Sequence, residues 1–133
     1  MFRSLFKKKE PELTGAPAVR RMKTYSAASG YVYQYFYEGH RPHAVAGESG
    51  VEYVFRISAD RKMWHATGVF LSDRSVSGWE ATNARALSST ERYAVAKLAL
   101  FQAFDERPTP AHMKQEVRVR RADVEGIIEN LGL

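Results

Sequence analysis

Tyr31, Tyr33, Tyr35 and Tyr37 fall at every second position of "GYVYQYFYEGHRPH", and Arg41 follows between His40 and His43. Every second residue of a β-strand points the same way, so the four phenol rings share one face. Two uses compete for that face. Turned inward, the rings fill a core while their hydroxyls reach water or a carbonyl at its edge. Turned outward, they form a patch that monomers seldom leave bare, and a partner is expected to cover it. Bases of single-stranded RNA or DNA stack on rings displayed in this way, with Arg41, Arg56, Arg118 and Arg120 as the candidates for holding phosphates. A second copy of the chain is the rival partner, because tyrosine-rich surfaces recur at interfaces. The strand lacks the glycine and phenylalanine spacing of an RNA-recognition sheet.

Other chemistry has less support. His40 and His43 flank Pro42 in a glycine-bounded stretch with no Asp or Glu at a ligand-like spacing, and His65 joins them only if the fold brings it close. No metal and no cofactor are expected. The chain has no cysteine, which excludes disulfides, thiolate metal sites and a cysteine nucleophile. "GESGV" does not centre its serine between two glycines as a nucleophile elbow does. Asp105, Glu106 and Arg107 sit at a helix end, where such neighbours pair locally or cap. Binding rather than catalysis is therefore the expectation.

The net charge of +5 is unevenly placed. Residues 1–29 hold seven basic and two acidic side chains; residues 30–133 hold 13 of each and sum to zero. A basic tail over residues 1–22, with Lys7, Lys8 and Lys9 at its centre, is expected to precede a single domain over residues 23–133. Those lysines would add salt-sensitive affinity for a nucleic acid. Met1, Phe2, Leu5 and Phe6 give the tail a short amphipathic pattern, but so short an element holds a membrane poorly, and peripheral membrane contact is not expected. No apolar run is long enough to span a bilayer, and none resembles a secretory leader, which makes the cytoplasm the default location.

The elements that must position these residues follow from periodicity. "YVYQYFYE", "VEYVFRIS" (residues 51–58) and "WHATGVFL" (residues 64–71) alternate or run apolar as strands do, with a long glycine-rich link from Gly39 to Gly50 and a tight turn at "SADRK". After Ser72 the period becomes helical. Val76 and Trp79 mark a short helix capped by Ser72 or Asp73, and a longer one opens on the capping box of Ser88 and Glu91 and stops at Pro108. In the long helix Ala96, Ala99 and Ala103 form a small-residue stripe that allows close approach of another helix, from this chain or a second copy. "KQEVRVRR" reads as a further strand and "ADVEGIIENLGL" as a closing helix. The expected fold is α+β: an antiparallel sheet of three meander strands plus a fourth, packed by a long central helix and two shorter ones, in the order β-β-β-α-α-β-α.

Overall fold

A computed structural model describes residues 10–133. The α+β class is as expected, with three α-helices, but the sheet has five strands. Strand β1 (Lys23–Ser26) pairs with β2 (Val32–Val45), which forms a long ribbon with β3 (Glu48–Ser58), and β4 (His65–Ser72) completes an antiparallel meander. Helices α1 (Asp73–Asn83) and α2 (Ser89–Glu106) follow, then a 3-10 turn (Pro110–Lys114), strand β5 (Val117–Val119) and helix α3 (Arg121–Leu131). The order is thus β-β-β-β-α-α-β-α. Strand β5 runs parallel to β4, so the sheet is mixed rather than wholly antiparallel.

The link from Gly39 to Gly50 proves to be strand, not loop. A bulge lies between Tyr37 and Gly39, and Gly39 takes φ +132°, where a Cβ would stand 2.6 Å from the Thr14 carbonyl oxygen. Only glycine permits both that conformation and that approach. Thr14 pairs there with His40 through two backbone hydrogen bonds, of 2.9 and 2.8 Å, which lays the segment before β1 along β2. The ribbon reverses at Ala46 and Gly47, both with positive φ, the geometry of a two-residue hairpin whose twist matches that of its strands.

Helix ends follow the local chemistry. The Ser72 hydroxyl accepts from the Ser75 N–H and caps α1. At α2 the Ser88 hydroxyl accepts from the Glu91 N–H at 3.1 Å while the Ser88 N–H donates to the Glu91 carboxylate at 2.9 Å, so the capping box is complete. Those bonds and Arg85 hold the Glu91 carboxyl below its ordinary range. In the first turn of α3 the Asp123 carboxylate accepts from the Arg120 N–H at 3.0 Å.

One core joins a single face of the sheet to the helices. Tyr33, Tyr35, Tyr53, Phe55, Ile57, Val69 and Leu71 face Val95, Leu100 and Phe104 of α2 and Val124 and Ile127 of α3. Tyr33 stacks on Phe104 with ring centroids 4.2 Å apart, and Tyr25 on Phe101 at 4.4 Å. Ala96, Ala99 and Ala103 are buried inside the chain, and α2 contacts α3 as well as the sheet. The alanine stripe is therefore occupied by the protein's own packing and offers no surface to a second copy. No helix among the described residues is long and apolar enough to cross a membrane.

Candidate functional site

The tyrosines of β2 divide by position. Tyr33 is fully buried against Phe104 and Tyr35 nearly so, which corrects the expectation of an open stacking face. The physical reason lies in the helices: α2 brings Phe101 and Phe104 down onto this side of the sheet, and aromatic rings packed edge and face there exclude water. Tyr31 precedes β2 and stays partly exposed. Tyr35 and Tyr37 reach a cavity.

That cavity, of about 640 Å³, opens between β2, β3, the first turns of α2 and the segment leading into β1. Volumes of this order accept small organic ligands. Four phenols contribute to its wall: Tyr35 and Tyr37 from β2, Tyr53 from β3 and Tyr93 from α2. Tyr37 and Tyr93 lie 4.7 Å apart, centroid to centroid. The Tyr37 hydroxyl shares a 2.9 Å hydrogen bond with His40 Nδ1, while those of Tyr35, Tyr53 and Tyr93 have no hydrogen-bond partner among the described residues. Burial raises the pKa of all four, so they are neutral donors at ordinary pH.

The charge lining the cavity has one sign. Arg21, Lys23, Arg92 and Lys97 border it, and no Asp or Glu does so among the described residues. Burial first, and then the neighbouring Lys23, push the Lys97 ammonium below its ordinary range. Two ammonium groups placed together without a carboxylate between them favour an anion in the space they share. Among the described residues the buried Arg92 Nε has no hydrogen-bond partner, and the one ion pair of Arg92 is a 3.6 Å approach of Nη2 to Glu80. Ser89 and Thr90 bring the first turn of α2 to the same wall, where backbone N–H groups point outward.

The arginines singled out from sequence lie elsewhere. Arg41 binds Glu52 at 2.9 Å and Glu10 at 3.2 Å, Arg56 binds Glu38 at 2.7 Å, Arg118 binds Glu116 at 3.2 Å and Arg120 binds Asp123 at 3.3 Å. None of the four lines the cavity, and each is already engaged with a carboxylate. Lys7, Lys8 and Lys9 lie outside the described residues. The histidine pair also separates. Three residues apart on a strand, the two side chains leave by opposite faces: His40 meets Tyr37 beside the cavity, while His43 turns to Glu116 on the other face.

The cations that do line the cavity escaped the sequence reading because they come from two segments about seventy residues apart. A partial signal existed in α2, where Arg92 and Lys97 do not fall on a common solvated face, and Tyr93 and Lys97 are one turn apart. Arg107, a helix-end arginine, has a structural part: its guanidinium donates to the carbonyls of His112, Gln115 and Glu116 at 2.8, 2.8 and 3.0 Å. The chain matches no family model, no curated protein and no solved structure.

Proposed function

We propose that the domain is a binding module for a nucleoside phosphate, free or at the end of a single strand, held in the tyrosine-lined cavity. One observation carries this reading: four cations and four phenols border one space to which no carboxylate contributes among the described residues. Lys23, Lys97 and Arg21 suit the phosphate, and the aromatic wall formed by Tyr35, Tyr37, Tyr53 and Tyr93 suits the apolar face of a base. The unbonded hydroxyls of Tyr35 and Tyr53 supply donors to ring or sugar oxygens. Compared with stacking along an open strand, this reading needs a single nucleotide to enter rather than a run of bases to lie down.

Calorimetric titration of the full chain with nucleoside monophosphates, with the parent nucleosides and with a 5′-phosphorylated oligonucleotide tests it. Saturable binding of the monophosphate is expected, with the nucleoside much weaker. Lys97→Ala should weaken binding by about tenfold or more, because a charge-assisted hydrogen bond contributes roughly 1.5–3 kcal/mol. Tighter binding of the oligonucleotide than of the monophosphate, steeply reduced by salt, would identify the strand end as the ligand. The proposal fails if no phosphate-bearing compound saturates, or if Lys97→Ala and Lys23→Ala bind as wild type does.

A further inference from the structure

On the sheet face opposite the cavity, three side chains from separate strands converge. His43 comes from β2, Glu52 from β3 and Glu116 from the residue before β5. His43 Nε2 lies 3.2 Å from Glu116 Oε2 and 3.9 Å from Glu52 Oε2, and the three ligand atoms all fall within 4.8 Å of one another. Each carboxylate is oriented from its far oxygen: Arg41 Nε donates to Glu52 Oε1 at 2.9 Å and Arg118 Nε to Glu116 Oε1 at 3.2 Å. Both Oε2 atoms are thereby aimed at the imidazole.

We infer that His43, Glu52 and Glu116 bind a first-row divalent transition cation. A hydrogen bond from His43 to Glu116 accounts for one side of the cluster only. Arg41 fixes Glu52 by its Oε1, and Oε2 accepts no hydrogen bond among the described residues, which leaves that oxygen open to a cation. The fold also keeps space for that oxygen: Gly68 of β4 lies beneath it, and a Cβ there would stand 2.3 Å from Oε2 and 2.8 Å from Cδ. Ligand atoms about 2.1 Å from a common metal are roughly 3.0–3.5 Å apart, so His43 and Glu116 already stand at ligand spacing and Glu52, 3.9 Å from His43, must move inward to join them. One imidazole nitrogen with two carboxylate oxygens suits zinc, cobalt or manganese better than magnesium or calcium, and leaves coordination positions for water. Phe70, edge-on to the His43 ring at 5.6 Å, limits how far the imidazole can swing. Arg41 and Arg118 offset the two carboxylate charges, so the affinity is modest. A bound ion would tie β2, β3 and the approach to β5 together across the sheet.

The test uses the full chain stripped with a chelator and titrated with zinc chloride by calorimetry, with cobalt chloride as an optical probe. One equivalent of zinc is expected, along with a visible cobalt absorption and no competition from magnesium. His43→Gln, a change at a partly exposed position, should abolish both signals. Gly68→Ala should weaken zinc by about tenfold or more by displacing Glu52 Oε2 without altering a ligand, and circular dichroism checks that each variant is folded. His65→Gln should bind as wild type does. Failure of the wild-type chain to take up zinc saturably, or uptake that folded His43→Gln retains in full, would overturn the site.

Discussion

Removing one oxygen atom from Tyr33 should make the protein more stable. The hydroxyl is buried, has no hydrogen-bond partner among the described residues and belongs to a side chain with no exposed surface. An unpaired buried hydroxyl costs roughly 1–3 kcal/mol in desolvation. Tyr33→Phe keeps the stack on Phe104 and ends that cost, while the void it leaves, on the order of 10 Å³, costs only a few tenths of a kcal/mol. The net gain is about 1–2 kcal/mol, a rise in Tm of roughly 3–8 °C for a domain of this size. Tyr25→Phe removes the same atom from a different setting. The Tyr25 hydroxyl donates to Asp105 Oδ2 at 2.8 Å, so its loss should destabilise by about 1–2 kcal/mol, reduced by partial exposure. Urea unfolding followed by circular dichroism should place the two variants on opposite sides of wild type. Equal destabilisation by both would refute the reasoning, because the Tyr33 hydroxyl would then have a partner.

Alkali should unfold the protein in step with its phenols. Burial, and then the Asp105 carboxylate, push Tyr25 up to about 12, and burial raises Tyr33, Tyr35, Tyr37, Tyr53 and Tyr93 as well. These groups hold their protons more tightly folded than unfolded. Their stabilisation is therefore complete below the ordinary phenol value of 10.0 and is lost as pH climbs through the folded values, for Tyr25 from there to about 12. Phenolate absorbance should lag behind that of free tyrosine until dichroism reports unfolding; native protein whose tyrosines all ionise normally would contradict this. Ala96→Leu, at a position with no exposed surface, should cost about 1–3 kcal/mol by overpacking and leave the sedimentation behaviour of the folded chain unchanged, and wild-type stability in that variant would show the stripe to be open.

The parts of the fold legible in the sequence were those whose signals are local. Ser88 and Glu91 announced α2 by direct contact with its first N–H groups, and the alternation of β2 and β3 survived because each keeps one face in the core. The stretch from Gly39 to Gly50 misled because glycine and proline usually interrupt strands. Here Gly39 makes a bulge, and Pro42 lies past the Thr14 pairing, where β2 has no outer partner among the described residues and a missing N–H interrupts no ladder. Strand β1 has only Tyr25 to mark it and exists through its pairing with β2. The aromatic character of Tyr35 and Tyr37 was visible, but not their direction, since Val32 and Phe36 make the opposite face apolar as well. The packing of α2 on the sheet brings Lys97 to Lys23, and strand pairing brings His43 to Glu52; no spacing along the chain encodes either meeting.

The last turn of α2 touches both margins of the sheet. Asp105 holds the β1–β2 turn through Tyr25 and the Ala28 N–H, and Ser29 donates to the Phe104 carbonyl, while Arg107 grips the backbone just ahead of β5. The first and fifth strands are the two open edges of the sheet, where unpaired main-chain groups invite neighbouring molecules to add on. Phe104, Asp105 and Arg107 thus tie down the backbone beside both edges, and damage confined to that turn would loosen the sheet at its two margins at once.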